Sequence, residues 1–556
     1  MTHRSAVHPV ALSALALSAI VSSLPVAAQS ADSAPGSARP PAQARTLSPA
    51  DDTKLQNPQN ATAQQDEAEK VAESPRAPAS PPLPVPPAPP APPAPPRDAA
   101  VPANPVLDAT PAEPKSWFYR APLTLTAGHG DREIALTLYG VIQSDFLYDT
   151  TRSFNDTMGG RLVARSDTFE GTTGRTQASS RNTRLGLSFR TPTIGFIRPS
   201  AVLEADFLGN QPSAPPSTTE TAYFESGTLR LRHAFMKLEN PYVDLLIGQT
   251  YDLFGWQNYF DPATAELGMP NRVLSRHTQL RLSHTFGEGG PVALAFGVAA
   301  TRPAQRDSQV PDLHAGIRLG LNGWKGITTQ TNTTSSLTKL SVFSLGVSGV
   351  VRQFKVDAFA PPPTQSSNSI TAWGASLDAL IPVIPAADAD DRGNKLTLTG
   401  SFVIGSGIAD LIAQNGGARF PTLPNPALMN PAPEYIANID DGLVTFDRYG
   451  VLHTIDWQAF RVGLQYYLPP NGRVSISVNY TQAISKNMRD LYPQGGAEIE
   501  LLTHVAERSR YADANLFWYV TPSIRFGLAG SYSTVDYLDG DQPHNIRGHF
   551  QAVYLF

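Results

Sequence analysis

From about residue 117 onward, apolar residues alternate with polar or small residues in many short segments. The alternation is clearest in Arg473–Thr481, Phe460–Leu468 and Ile524–Ala529. In the first of these segments, four apolar side chains share one face: Val474, Ile476, Val478 and Tyr480. A period of two residues places successive side chains on opposite faces of an extended strand. The pattern predicts β-strands that have one apolar face and one face suited to water.

Sixteen segments of this kind can be placed along the chain. We predict strands at residues 132–148, 182–190, 197–208, 228–238, 242–250, 277–286, 291–300, 314–321, 338–356, 370–381, 395–406, 451–468, 473–485, 510–520, 523–535 and 546–556. A single-chain bacterial barrel has an even number of strands, and its strands alternate in this way. The predicted fold class is therefore all-β, a transmembrane antiparallel β-barrel of about 16 strands.

The connections between the predicted strands alternate in length. If the first strand starts in the periplasm, the periplasmic connections are mostly tight, as at Pro469–Gly472, and the outer ones are long. Asp149–Arg181 and Gly407–Gly450 are long outer connections. Short periplasmic turns and longer outer loops are typical of these barrels, and we expect the outer loops to be solvated. Two periplasmic connections, Asn322–Leu337 and Pro382–Asn394, are longer than this pattern predicts and leave the strand registers of residues 322–394 open.

Two segments precede the predicted barrel, which spans residues 116–556. Residues 1–28 are predicted to be a signal peptide, because the apolar stretch Val10–Leu24 is followed by small residues ahead of a cleavage site after Ala28. Residues 29–115 form a Pro-rich, low-complexity segment that cannot bury a core, so we predict a disordered or extended periplasmic region. Its repeat at Pro86–Pro96 suits a stiff spacer or, alternatively, a ligand for a proline-binding partner.

The last predicted strand ends the chain with aromatic residues on one face. Phe550, Ala552, Tyr554 and Phe556 alternate with polar or small residues up to the final position. This ending is similar to the signature that the outer-membrane assembly machinery reads. We therefore predict that Tyr554 and Phe556 act as an assembly signal.

Composition excludes several other classes of protein. The formal net charge of −5 does not suit a nucleic-acid binder, and the absence of Cys excludes disulfides and thiolate chemistry. The chain contains neither the His-Glu-x-x-His pattern of zinc hydrolases nor the Gly-x-Ser-x-Gly turn of serine hydrolases. Asp388–Gly393 begins like a calcium loop but has Arg392 at a ligand position. We predict no enzyme activity, no catalytic residue, no cofactor and no metal site.

The arginines are the most informative charged residues. The chain has 34 Arg and 9 Lys, and many of the arginines fall on the polar faces of predicted strands. An Arg facing lipid at mid-depth costs ~2–4 kcal/mol, so these residues are predicted to face the lumen. Glu204 and Asp206 also fall on polar faces, so some arginines would brace the wall by pairing with carboxylates. The predicted pore-lining set is Arg184, Arg190, Arg230, Arg232, Arg281, Arg318, Arg461, Arg525, Glu204 and Asp206.

The sequence over about Leu136–Arg276 resembles the DcaP-like outer-membrane porins, relatives of the phosphate-selective porins. The segments that carry the resemblance, in order, are GVIQSDFLYDT (Gly140–Thr150), SRNTRLGLSFRTP (Ser180–Pro192), LEADFLG (Leu203–Gly209), LRLRHAFMKL (Leu229–Leu238) and LIGQTYDLF (Leu246–Phe254). The resemblance implies a sixteen-stranded, trimeric barrel that prefers small anionic solutes such as dicarboxylates. It also implies that the loop Tyr251–Arg276 folds into the pore, and that Arg181, Arg184, Arg190, Arg230 and Arg232 lie in the pore wall. Members of the family have a helical coiled-coil N-terminal segment, whereas this chain has a Pro-rich one.

Together these observations predict a passive diffusion channel in the bacterial outer membrane, exported through its signal peptide. Its expected solutes are small, hydrophilic and anionic. Its expected partners are outer-membrane lipid, the assembly machinery and two further copies of the chain in a homotrimer, with no nucleic acid. The alternative is a structural barrel that is plugged by its loops and linked to the cell wall through the Pro-rich segment.

Overall fold

The computed structural model describes residues 123–556 apart from residues 130–131, 160–161, 210–226, 258–259, 261–262, 267, 288–289, 306–307, 323–342, 358–366, 386–391, 416–438, 448–450 and 492–504. The predicted signal peptide, the Pro-rich segment, residues 116–122 and most of the calcium-like sequence Asp388–Gly393 lie outside the described residues.

The described residues form twenty strands, two short α-helices and two 3₁₀ turns, at Phe254–Trp256 and Ala409–Leu411. The strands are β1 (Leu123–Ala127), β2 (Ile134–Asp149), β3 (Arg175–Ser179), β4 (Arg184–Arg190), β5 (Arg198–Asp206), β6 (Arg230–Glu239), β7 (Asp244–Tyr251), β8 (Arg276–Phe286), β9 (Val292–Thr301), β10 (Asp312–Leu321), β11 (Phe343–Asp357), β12 (Ser367–Ile384), β13 (Lys395–Ser406), β14 (Val444–Phe446), β15 (Leu452–Thr454), β16 (Asp456–Tyr467), β17 (Val474–Ser485), β18 (Ala506–Tyr519), β19 (Ile524–Tyr537) and β20 (His544–Leu555). The helices are α1 (Phe169–Thr172) and α2 (Met488–Leu491). No helix among the described residues is long and apolar enough to cross a membrane.

Eighteen of these strands form one antiparallel sheet that closes on itself. Along one edge β2 pairs with β20 and then with β1, and along the other edge it pairs with β3 and then with β4. The short strands β1 and β3 thus share the wall positions of β20 and β4, which leaves sixteen positions around the barrel. The prediction of a closed antiparallel barrel of about 16 strands is confirmed.

The two faces of the wall have opposite chemistry. On β18, Leu516 and Trp518 point outward and are 42% and 52% exposed, whereas Asp513 and Asn515 point inward and are buried. The same alternation holds on β16 and β17, where the apolar residues predicted from sequence lie on the outward face. An apolar outward face and a polar inward face are what a membrane-spanning barrel requires, because lipid surrounds it and water enters it.

The strand registers between Leu321 and Lys395 are regular. β11 pairs with β10 and β12, and β12 pairs with β13, all antiparallel, with one irregularity between Pro382 and Ile384. No additional strand pair is inserted between the described strands of this region. The long connections noted in the sequence therefore do not reflect a register error.

The strand prediction was wrong in four places. Leu452–Thr454, predicted as the start of a wall strand, instead forms a separate two-stranded sheet with Val444–Phe446. The short strands β1, β3 and β14 were not predicted.

The two ends of the barrel carry different connections. We call the end that carries the described parts of residues 150–174, 252–275 and 407–455 the loop end, and the opposite end, which carries residues 191–197 and 468–473, the turn end.

The last residue of the chain extends the seam between β20 and β2, where the barrel closes. Phe556 and Gly140 exchange two backbone hydrogen bonds of 3.1 and 3.2 Å, and the Phe556 ring stacks with Tyr554 at 6.3 Å. A β-carbon on Gly140 would lie 2.7 Å from the Phe556 ring, so this position suits only glycine. The terminal Phe therefore completes the seam between β20 and β2.

Deletion of Phe556 is expected to reduce the yield of assembled barrel, because it removes both seam hydrogen bonds and the packed ring. Export should be unaffected, because the predicted signal peptide is unchanged. Heat-modifiable migration of the membrane fraction measures assembly, and Phe556→Leu, which keeps the backbone bonds, is the matched control. An undiminished yield in the deletion strain would show that Phe556 is not needed for assembly of the barrel.

Candidate functional site

The connection Tyr251–Arg276 folds into the barrel and reaches the opposite wall. The Trp256 indole Nε1 donates to the Val347 carbonyl at 3.1 Å, and the Gly255 amide donates to Ser348 Oγ at 2.7 Å. Both acceptors lie on β11. A side chain at Gly346, also on β11, would come within 2.8 Å of the Trp256 ring, so glycine makes room for the indole.

The second half of this connection crosses to the other side of the lumen. Thr264 Oγ1 donates to Asp513 at 2.6 Å, and the Ala265 amide donates to Asn515 at 2.9 Å, both on β18. Glu266 then lies 3.4 Å from Arg547 on β20. The connection thus spans the lumen between β11 and β18–β20, as the sequence resemblance implied. Burial raises the pKa of Glu266, but His549 and Arg547 outweigh it and lower that pKa to about 2, so the carboxylate is ionised at neutral pH.

Other connections also pack inward at the loop end. Phe154 and Met158 from one connection, and Ile408 and Leu411 from another, are fully buried in one apolar cluster with Phe254. The expectation that the long outer connections are solvated is wrong for these parts, because their apolar side chains bury one another inside the barrel mouth. The open part of the lumen is narrowed accordingly.

A group of charged residues lies on the inner wall of β4–β6. Arg230 makes two hydrogen bonds to Asp206, of 2.9 and 2.7 Å. Arg232 donates to Glu204 at 2.6 Å, to Asp206 at 2.9 Å and to the Tyr251 hydroxyl at 2.9 Å. The pairing of β5 with β6 shifts register between Glu204 and Ala205, and this β-bulge turns both Arg232 and its neighbour His233 into the lumen.

Positive charge exceeds negative charge in this group. Arg184 lies 3.6 Å from Glu204, and Arg276 is close enough to Tyr251 to interact electrostatically with its hydroxyl. We call Arg184, Arg230, Arg232 and Arg276, with Glu204 and Asp206, the cationic cluster. Four cations against two carboxylates give these six residues a formal charge of +2.

The exposed part of the cationic cluster is guanidinium. The side chains of Glu204 and Asp206 are 1% and 0% exposed, whereas the side chain of Arg230 is 38% exposed. Arg276 is also partly exposed. A solute that reaches this wall therefore meets cations, with the carboxylates behind them.

The remaining arginines of the predicted set occupy different environments. Arg181 lies in the turn before β4 and pairs with Asp156 at 3.2 Å, so it braces a connection. Arg190 is exposed near the turn end. The others face inward: Arg281 donates to Gln279 at 2.9 Å, Arg318 packs over Trp256, Arg461 donates to the Phe260 carbonyl at 3.0 Å, and Arg525 donates to Gln551 at 2.9 Å.

Comparison with known proteins gives a match in structure. No family model and no curated protein matches the chain. The outer membrane channel DcaP of Acinetobacter baumannii has a similar structure, with a TM-score of 0.53 and 19% identity over 79% of this chain and 100% of that one. This chain has the fold of that channel. The resemblance noted in the sequence is thus confirmed at the level of the fold.

Two other solved structures align less well. A Salmonella typhi OmpF complex with daunomycin gives a TM-score of 0.42 at 12% identity, over 78% of this chain and all of that one. A loop-deletion mutant of Vibrio cholerae OmpT gives 0.41 at 10% identity, over 76% of this chain and 99% of that one.

Two buried inward arginines were missed in the sequence. Arg352 on β11 pairs with Asp312 and Asp410, each at 2.6 Å, and Arg547 on β20 pairs with Asp149 at 2.8 Å. Arg547 alternates with Ile546 and Gly548, so the period-two pattern marks its face. Arg352 lies between Val350 and Phe354, which also face inward, and there the pattern gives no polar face to read.

Proposed function

We propose that the protein is a passive diffusion channel of the bacterial outer membrane for small, hydrophilic, anionic solutes. The observation that carries the proposal is the cationic cluster, in which the carboxylates are buried and the residues Arg230 and Arg276 are partly exposed. Arginine-lined constrictions are a common basis of anion selectivity in pores.

The size of the expected effect follows from the dielectric environment. A contact between unit charges at 4 Å is worth ~1 kcal/mol in water and ~4 kcal/mol near a protein surface. The inward-folded connection narrows the lumen and displaces water, so solute charge is felt more strongly there. Dicarboxylates carry two negative charges and gain most from a cluster with a surplus of two positive charges, so we propose them as a favoured solute class.

Reversal potentials in asymmetric potassium chloride test the proposal directly. We expect chloride to be favoured over potassium by about fivefold, which corresponds to ~1 kcal/mol. Raising the ionic strength is expected to reduce the preference, because the Debye length falls. A cation-selective channel would contradict the proposal.

A second candidate is a structural barrel plugged by its loops, with the Pro-rich segment reaching the cell wall. It is favoured by the apolar cluster at the loop end, in which Phe154, Phe254, Ile408 and Leu411 are fully buried. A planar bilayer separates the two candidates, because a plugged barrel passes no steady current.

The proposed orientation places the loop end outside the cell and the turn end in the periplasm. Phe169 at the loop end and Phe196 at the turn end are 62% and 63% exposed. Chymotrypsin added to intact cells is expected to cleave after Phe169 and to leave Phe196 intact until the outer membrane is permeabilised. Cleavage at Phe196 alone in intact cells would invert the orientation.

The proposal also includes export through residues 1–28 and assembly as a homotrimer. The mass of the folded complex would test the homotrimer.

A further inference from the structure

Two arginines of β18 face the outside of the barrel. Arg510 lies on the same face as Ala514, Leu516 and Trp518, and Arg508 precedes it on that face. Other arginines of the wall strands, such as Arg184, Arg318, Arg461, Arg525 and Arg547, point inward and are buried. An outward arginine is unfavourable at the bilayer centre and nearly neutral at the interface, so its depth decides what it contacts.

The depth of the outward pair is set by the strand register. Arg510 lies opposite Gln482 on β17 and Thr534 on β19. Ala512 lies two residues closer to the turn end than Arg510, and it is flanked by Tyr480 on β17 and Tyr532 on β19. From this level toward the turn end, the outward face of β18 is apolar. Tyrosines mark the level where hydrocarbon gives way to headgroups. Arg510 is two residues and Arg508 four residues from Ala512, ~7 and ~14 Å along the strand, so both lie beyond that level, among the headgroups.

The pair carries more positive charge than its partner neutralises. Arg508 and Arg510 share one carboxylate, Asp536, with Arg508 at 3.5 Å and Arg510 in direct hydrogen bond. The two arginine side chains are 38% and 33% exposed, and Asp536 is 13% exposed.

The neighbouring charges leave this surplus in place. Arg489 is paired with Glu507 at 2.7 Å, and the exposed Lys486 is offset by the exposed Asp490. Among the described residues of this region, the net surplus of one cation lies at the outward arginines, whose guanidinium groups are partly exposed.

We propose that Arg508 and Arg510 bind a phosphate of a phosphorylated glycolipid in the outer leaflet. A guanidinium group matches a phosphate with two parallel hydrogen bonds, and two adjacent guanidinium groups can share one phosphate. The sugar rings of such a headgroup would lie over the tyrosine row. The inference rests on the proposed location and orientation, because only the loop end of an outer-membrane barrel meets this leaflet.

The test uses the full-length barrel in detergent with purified lipopolysaccharide lipid A as the probe. Native mass spectrometry measures the fraction of barrel that retains the lipid. We expect Arg508→Gln with Arg510→Gln to lower the apparent affinity about tenfold, and lysine at both positions to restore part of it. Lys355→Gln on β11 removes an outward cation elsewhere on the barrel and is expected to have no effect. Dephosphorylated lipid A is expected to bind the wild type as weakly as the double variant binds lipid A.

Equal binding of lipid A by the wild type and the double variant would overturn the inference, and so would equal binding of the dephosphorylated lipid. Displacement of the lipid by millimolar inorganic phosphate would also overturn it, because a lipid site must outcompete the free ion. Channel current in neutral lipid tests the proposed function separately. We expect that current to be the same for the wild type and the double variant, so a channel without lipid binding refutes only this inference.

Discussion

Serine in place of both Arg230 and Arg232 is expected to shift permeability from chloride toward potassium by about fivefold, or ~1 kcal/mol. The change removes two of the four cations in the cationic cluster and lowers its formal charge from +2 to 0. Asp206 also loses both guanidinium groups that bind it, at 2.7 and 2.9 Å. The expected shift combines lost attraction for anions with a carboxylate that becomes available to cations. Reversal potentials of single inserted channels measure it without interference from lower yield.

The matched control is the double variant Arg508→Gln with Arg510→Gln, which removes the same number of arginines from the outward face of the barrel. Its selectivity is expected to equal that of the wild type, because lipid and the wall separate these residues from the solute. Lysine at positions 230 and 232 is expected to keep the anion preference, since it keeps the charge. Unaltered selectivity in the serine variant would remove Arg230 and Arg232 from the solute path.

The strands that the sequence predicts best are those with lipid on one side and water on the other. β13 was predicted at its observed bounds, and β16 and β17 differ by a few residues at their ends. One face of these strands contacts lipid and the other contacts water, so apolar and polar residues alternate strictly. β1, β3 and β14 are short segments that exist as strands only because a neighbour pairs with them. Such pairing is a tertiary effect, and a local period cannot reveal it.

The side of the wall on which an arginine lies could also be predicted, but its partner could not. Arg230, Arg232, Arg461 and Arg525 all face inward as expected. Arg232 contacts two carboxylates because the bulge in β6 shifts the register by one residue, and a bulge has no signal in this sequence. The inward path of residues 252–275 depends on contacts with β11 and β18, which are far away in the chain.

Methionine in place of Arg547 is expected to destabilise the barrel strongly. Arg547 is fully buried and donates two hydrogen bonds to Asp149, of 2.8 and 2.9 Å, and one to the Asn155 carbonyl at 2.6 Å. It also lies 3.4 Å from Glu266 in the inward connection. Its removal leaves the buried Asp149 without its cation and leaves Glu266 with His549 alone, which costs ~3–5 kcal/mol. The midpoint of heat-modifiable unfolding is expected to fall by at least about 5 °C, and the open current should fluctuate more as the inward connection loosens.

The control and the pH dependence separate charge compensation from simple packing. Arg525→Met also removes a buried inward guanidinium, but Arg525 contacts Gln551 and the Phe517 ring, with no carboxylate in ion-pair distance among the described residues, so a small effect is expected.

In the wild type the lowered pKa of Glu266 stabilises the fold above pH ~4, and this contribution is lost as the pH falls toward 2. Without Arg547 one of the two cations that lower this pKa is gone, so the pKa rises and the carboxylate takes up its proton at a higher pH than in the wild type. The difference between variant and wild type is therefore expected to narrow below pH ~4.5. A difference that stays constant from pH 7 to pH 4, or an equal loss in Arg525→Met, would show that Arg547 acts through its volume and not through its charge.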